Sequence, residues 1–344
     1  MKQWISLTFA VIIVTLPGVQ CFGLGGNSTG TQSGLFISTD KGQNWNNSSQ
    51  IDQDGVQGSL ERFDINDITI DSQHNSTLYA ATAQAGLYKS NDSGQSWQSV
   101  TTSGNIKAIN VNRVNNNHLI AARENQVFVS SDRGNIWRLV YTDPTEAQIT
   151  DVIFDPLAEQ IAFMSTSGGE LLKSADLGET WSLVRTFDNP IKKVIVHPRF
   201  SSEMYVLTTK PDLMRSSDGG INWQPVLESL KKEQTIATIV DVKVHPRANE
   251  SLFMATERGL FLTNDAGESW QTLPLLTTTD ERIQSIGWDP EVVNIIYYAT
   301  PTVFFASQDS GQSWRTSIFS SRRLPRHLIV DPNNRDKLYI ATSN

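Results

Sequence analysis

Three carboxylates, one ammonium and one imidazole share a recurring position in this sequence. Asp67, Asp151, Lys193, Asp241 and His327 each lie four residues before a turn residue that is usually followed by proline, as in Asp155-Pro156, His197-Pro198, His245-Pro246 and Asp331-Pro332. Ala108 and Ser285 hold the same position in two further segments. A carboxylate at recurring spacing can bind a cation or a polar ligand, and neighbouring charges would shift its pKa. Two such carboxylates across a sugar ring could act as acid and base in glycoside hydrolysis. Asp67, Asp151 and Asp241 are therefore the candidate catalytic groups if the chain is an enzyme.

Other reactive side chains give weaker signals. His197 and His245 each precede Pro and then Arg (Arg199, Arg247), at one repeat position, which reads as a turn rather than a metal pair. No metal site and no cofactor is expected. Basic residues cluster at Lys192, Lys193 and Arg199, at Lys231 and Lys232, and at Arg322, Arg323 and Arg326, which reads as solvated surface or a partner-facing patch.

Cys21 is the single cysteine of 344 residues, so no intramolecular disulfide can form. It follows Lys2, an apolar run from Ile5 to Leu16, and a Pro17-Gly18 break. That is the order of a secretory signal over 1–21. The run is shorter than the roughly 20 residues a spanning helix needs. Residues 22–32 are rich in Gly, Ser and Thr and read as a flexible tether. A cysteine at this place resembles a bacterial lipoprotein signal, which implies a diacylglycerol anchor on Cys21. The expected location is the extracytoplasmic face of a membrane or the cell surface, with secretion if Cys21 is not modified. Contact with the membrane is expected only through that anchor.

The elements that position these residues repeat. Ser/Thr-x-Asp-x-Gly-x-x-Trp occurs seven times, with Asp and Trp at Asp40/Trp45, Asp92/Trp97, Asp132/Trp137, Asp176/Trp181, Asp218/Trp223, Asp265/Trp270 and Asp309/Trp314. Successive aspartates lie 40 to 52 residues apart. An alternating stretch such as GLYKS precedes each box. The Asp can accept turn N–H groups, the Gly supplies a positive φ, and the Trp brings apolar area to the returning strand. Between boxes run two more strands, as in VIFDPLAEQIAFMST (152–166) and LIVDPNNRDKLYIAT (328–342). Four strands per unit of this length predict a β-propeller blade.

The first box, in 33–50, lacks a preceding strand pair, and the last pair, in 326–344, lacks a box. The two halves complement each other. The sequence therefore predicts an all-β fold over 33–344: a single seven-bladed propeller of four-stranded blades, closed by a composite N-/C-terminal blade. Trp181, like the other box tryptophans, is expected to be a buried anchor. The longest departure from the repeat, 50–64, reads as a loop carrying a specialised contact.

The boxes resemble Asp-boxes, or BNR repeats, over nearly the whole of 33–344. These are found in sialidases, xyloglucanases, the sortilin luminal domain and the photosystem II stability/assembly factor family. In those families the box is structural, so the resemblance implies the fold and says little about activity. By blade number the chain looks most like the assembly-factor group. By blade wording it is similar to the sortilin and xyloglucanase type. Sialidase features are incomplete: Arg323-Leu324-Pro325 fits one motif but at the wrong end of the chain. Where xyloglucanases carry a catalytic Asp, this sequence reads AATAQAG (80–86), MATERG (254–259) and YATPTV (298–303), and Glu257 is the nearest carboxylate.

Thirty-six acidic against 28 basic residues give a net charge of −8, which argues against nucleic acid as a partner. The expected function is a non-catalytic scaffold or assembly factor, monomeric, binding a protein or glycan at one propeller face. The alternative is a sialidase- or xyloglucanase-like hydrolase with carboxylates at the channel mouth.

Overall fold

Each repeat unit folds as one antiparallel sheet whose second strand is its most apolar. In a computed structural model that describes residues 33–344, apart from 54–55, 102–103, 211, 234–235, 237, 249 and 277–281, the segments LYAAT, AFMST and LFMAT are buried along their whole length. A strand covered on both faces needs no polar alternation. Here both faces are covered because a neighbouring sheet lies on each side. Residues 1–32, which hold the expected signal segment 1–21, the expected tether 22–32 and Cys21, fall outside the described residues.

The sheets form a ring of seven four-stranded blades. Blade 1 holds Ile65–Ile70, Leu78–Thr82, Gly86–Ser90 and Gln98–Ser99, from the axis outward. Blades 2 to 6 follow in the same order, with innermost strands Ile106–Val111, Ile149–Phe154, Ile191–His197, Ile239–Val244 and Ser285–Trp288. Blade 7 is composite. Its inner strands are Leu324–Val330 and Leu338–Ser343, and its outer strands are Leu35–Ser38 and Asn46–Asn47. Leu35 pairs with Ala341 and Ser38 with Leu338, so strands from the two ends of the repeat region close the ring.

Seven apolar clusters hold the ring, and each joins one blade to the next. Tyr79 of blade 1 packs with Ile106 and Ile109 of blade 2. Phe163 of blade 3 meets Ile191 and Val194 of blade 4, and Tyr205 of blade 4 meets Ile239 and Val242 of blade 5. At the seam, Tyr339 and Leu35 of blade 7 pack with Ile65, Ile68 and Trp97 of blade 1. The seam thus has a core of the same kind as the other six. Asp64 adds polar bonds there: Asn344 N–H donates to it at 2.8 Å, Gln84 Nε2 at 2.9 Å, and the Arg323 guanidinium lies 3.5 Å away.

The seven boxes share one geometry. The Ser or Thr hydroxyl donates to the Asp carboxylate at 2.6–2.8 Å. The same Asp oxygen accepts the backbone N–H four residues on, at 2.9 Å in every copy. The Gly has positive φ, as expected, and so does the residue before it: Lys41, Ser93, Arg133, Leu177, Ala266 and Ser310 all adopt 56–64°. The turn therefore needs two successive left-handed residues, and only blade 4 meets this with two glycines, Gly219 and Gly220. A Cβ on Gly178 would sit 3.2 Å from Ile120 and 3.3 Å from Val129, so the box packs on the preceding blade.

The tryptophans are less uniform than the sequence suggests. Trp97 is fully buried and Trp223 nearly so, while Trp45, Trp137, Trp181, Trp270 and Trp314 are half-buried. Trp181 also leaves its indole N–H without a partner. The cause of the difference at Trp97 is the segment 50–64. Gln50–Gln53 and Val56–Ser59 form a hairpin, followed by a 3-10 turn over Leu60–Arg62. The hairpin lies along blade 1: Trp97 N–H donates to Gln50 O at 3.0 Å, and Asp52 N–H donates to Trp97 O at 3.0 Å. The departure from the repeat thus covers a sheet edge and seals the seam.

Candidate functional site

The innermost strands all begin at one end of the central channel, and six of them begin with a bulge. Register shifts fall between Ile65 and Asp67, Ile106 and Ala108, Ile149 and Asp151, Ile191 and Lys193, Ile239 and Asp241, and Pro325 and His327. A bulge inserts one extra residue and re-aims its side chain. Both residues at each bulge accordingly line one cavity of about 520 Å³. Two rings result. The inner ring is the recurring position read from the sequence. The outer ring is the residue before it.

The inner ring brings Asp67, Asp151, Lys193, Asp241 and His327 to this one cavity. Asp67 accepts Ile68 N–H at 2.8 Å and, from the next blade, Ile109 N–H at 2.9 Å. Asp151 accepts Val194 N–H of blade 4 at 2.8 Å. Asp241 instead meets two ammonium groups, Lys193 at 2.6 Å and Lys243 at 3.0 Å, and accepts Val242 N–H at 2.8 Å. Each carboxylate is therefore engaged in the wall of the channel. Ser285 does not line the cavity; blade 6 has no bulge there, and the Ser285 hydroxyl is buried without a partner.

Asp151 and Asp241 titrate differently. Burial pushes Asp151 up to about 7, helped by the charge of Asp67. Burial opposes ionisation of Asp241 as well, but Lys193 and Lys243 hold it well below the usual carboxylate range. Burial lowers Lys243 and Lys192, with Asp241 pulling the other way. Lys193 is held above its ordinary value, Asp241 overcoming its burial. Burial keeps His327 below the usual imidazole value, with Asp67 opposing.

The outer ring reads Asn66, Lys107, Thr150, Lys192, Val240, Gln284 and Arg326 around the mouth. It holds three cations and no acid. Lys192 Nζ donates to Ile239 O at 2.8 Å and Val240 O at 2.9 Å, and Arg326 donates to Gln284 Oε1 at 2.8 Å. Glu257 lines the same cavity and pairs with Arg282 at 3.0 Å. Sequence reasoning missed Lys107 and Lys243 and placed Lys192 and Arg326 only in scattered basic clusters. Lys243 was legible as the next channel-facing residue after Asp241 by strand alternation. The outer ring was hidden because a bulge breaks that alternation.

The other basic residues lie elsewhere. Lys231 pairs with Asp212 at 3.1 Å on a short helix, Glu228–Glu233, that the sequence did not announce. His197 and His245 are buried, and each Nδ1 accepts the N–H two residues on, from Arg199 and Arg247, at 3.1 Å. Asp71, Asn112, Asp155, Asp289 and Asp331 accept the same N–H through a side-chain oxygen. All seven residues share one job, capping the turn. Among the described residues no group of three His, Cys, Asp or Glu side chains is placed to hold a metal, and no helix is long and apolar enough to cross a membrane. At its far end the channel opens into a second cavity of about 310 Å³, walled by Ile68, Val111, Phe154, Pro156, Pro198 and Val330 among others. The first mouth carries most of the charge; the second is mixed, with Arg113 and Asn110 among its apolar side chains.

A family model for Sortilin-Vps10 (sortilin, neurotensin receptor 3) matches residues 211–324. No curated protein matches the chain. Among solved structures, the GH74 enzyme of Niastella koreensis aligns at 16% identity and TM-score 0.67, over 82% of this chain and 51% of its own. YCF48 from Cyanidioschyzon merolae aligns at 13% identity and TM-score 0.65, over 81% of this chain and 95% of its own. A structure of YCF48 bound to D1 peptide aligns at 16% identity and TM-score 0.64, over 82% and 94%. The chain thus spans about half the length of the GH74 enzymes it matches. At these identities the likeness is one of fold. The chain is a seven-bladed β-propeller, similar in architecture to YCF48 and to a GH74 enzyme over half that enzyme's length.

Proposed function

We propose that this protein is an exported, lipid-anchored, non-catalytic scaffold that binds a protein or glycan partner at the charged mouth of its channel. The observation that carries the reading is the state of the carboxylates. Asp67 holds two backbone N–H groups, Asp151 holds one, and Asp241 is clamped by two lysines. Groups so engaged build the wall rather than attack a substrate. YCF48 bound to a peptide supplies a precedent for a propeller of this shape engaging a protein segment. Anchoring rests on Cys21 and the segment before it.

The hydrolase reading has one observation in its favour. Asp151 titrates at about 7 in the same cavity as an ionised Asp241, and separated carboxyl pKa values are what acid and base roles require. The two readings part in one experiment. The protein and its Cys21→Ser variant are used to recover partners from native membranes, and the same preparations are assayed for sugar released from a glycan panel. The scaffold reading predicts a defined partner, loss of membrane association with Cys21→Ser, and no released sugar. Sugar release abolished by Asp151→Asn would replace it with the hydrolase.

A further inference from the structure

The outer ring of the mouth has an asymmetry that the wall chemistry does not require. Its three charged members, Lys107, Lys192 and Arg326, come from blades 2, 4 and 7, and its other four members are neutral. All three cations are exposed. Each sits at the extra residue of a bulge, so the distortion that builds the inner ring also turns these side chains to the mouth. On a chain of net charge −8, three cations whose neighbouring acid, Glu257, is paired with Arg282 form a local positive rim.

Below the rim the charges are largely spent on one another. Lys193 and Lys243 share Asp241, while Glu257, level with the rim, is drawn to Arg282. Asp67 and Asp151 are turned into backbone N–H groups of the next blades. The rim has no such balance. Among the described residues Lys107 makes no hydrogen bond or ion pair, Arg326 uses one donor on Gln284, and Lys192 meets only carbonyl oxygens. An ammonium has three donors and a guanidinium five, so most of the rim's donors are open.

We propose that this rim is a binding site for an acidic segment of a partner protein, whose side-chain carboxylates dock on Lys107, Lys192 and Arg326 at the entrance of the 520 Å³ cavity. The inference rests on the scaffold reading above and names the chemistry of its partner. A carboxylate accepts bidentately from a guanidinium and singly from each ammonium, which suits one arginine and two lysines. The neutral ring members Asn66, Thr150 and Gln284 offer hydrogen bonds between the charged points without repelling an anion.

The test uses a fluorescein-labelled Gly/Ser peptide carrying a run of glutamates, its glutamine counterpart, and inorganic phosphate as competitor. Binding is read by anisotropy on the intact propeller. The glutamate peptide is expected to bind at least roughly tenfold tighter than the glutamine peptide, with an affinity that falls as salt rises. The double variant Lys107→Gln, Arg326→Gln is expected to lose roughly tenfold or more, while Lys107→Arg, Arg326→Lys keeps most of the binding. Both pairs are exposed side chains, and an unchanged melting temperature verifies folding. Equal binding of the two peptides, or indifference to the double variant, overturns the proposal. So does phosphate competing as well as peptide, which would mean a small-anion site. If neither peptide binds while a partner is still captured at this mouth, the acidic-segment assignment fails and the scaffold reading stands.

Discussion

Replacing Asp151 with asparagine is expected to raise the melting temperature at pH 8 and leave it unchanged at pH values well below 3.8. The carboxyl titrates at about 7 in the folded chain against 3.8 ordinarily, because burial and the Asp67 charge disfavour its ionised form. A folded pKa above the unfolded one means that the native state holds the proton more tightly. Well below pH 3.8 both states are protonated and nothing is lost. Between pH 4 and 7 the unfolded state releases its proton while the native state keeps it, so stability falls with rising pH. Above 7 the loss is complete, on the order of 4 kcal/mol at roughly 1.4 kcal/mol per unit. The asparagine variant carries no such loss. Its amide oxygen can still accept Val194 N–H. The expected gain at pH 8 is roughly 4–8 °C, read by calorimetry across the pH range. A variant less stable than the parent at pH 8 would mean that ionised Asp151 is held by the channel, against the burial account.

Trp97→Ala is expected to be the most damaging of the box substitutions, at about 3–5 kcal/mol. Trp97 is fully buried, donates its indole N–H to Ser48 O at 3.0 Å, and lies in the cluster that seals blade 7 to blade 1. Its backbone also carries both hydrogen bonds of the covering hairpin. Trp314→Ala removes a half-buried ring and is expected to cost under about 2 kcal/mol. Urea unfolding of the two variants provides the comparison. Equal losses would mean that the hairpin over 50–59 adds nothing to the seam.

This pair of predictions also marks where the sequence was legible. The box hydroxyl, Asp and Gly were readable because their bonds close within a few residues, and a local pattern carries local geometry. Ring closure was readable because two incomplete blades lay at the two ends of the repeat. Tryptophan burial was not readable. It depends on what lies over the ring, and the segment covering Trp97 looked like a binding loop because it broke the repeat. The inner ring of the mouth followed from counting back from the turn residue. The outer ring did not, since a bulge is a property of strand pairing and leaves no alternation to count. His197 and His245 could be recognised as turn residues because imidazole Nδ1 does the work of an Asp oxygen at the same repeat position.

The central claim is that the charged mouth is the face that binds. Site-specific photo-cross-linking tests it most directly, with a benzophenone amino acid placed in turn at Thr150 and Val240 on the charged mouth and at Leu157 and Phe200, exposed near the far end of the inner strands. The account predicts that a defined partner is captured from native membranes at Thr150 and Val240 and not at Leu157 or Phe200. Capture at Leu157 and Phe200 alone would contradict it and move the site to the far end of the channel.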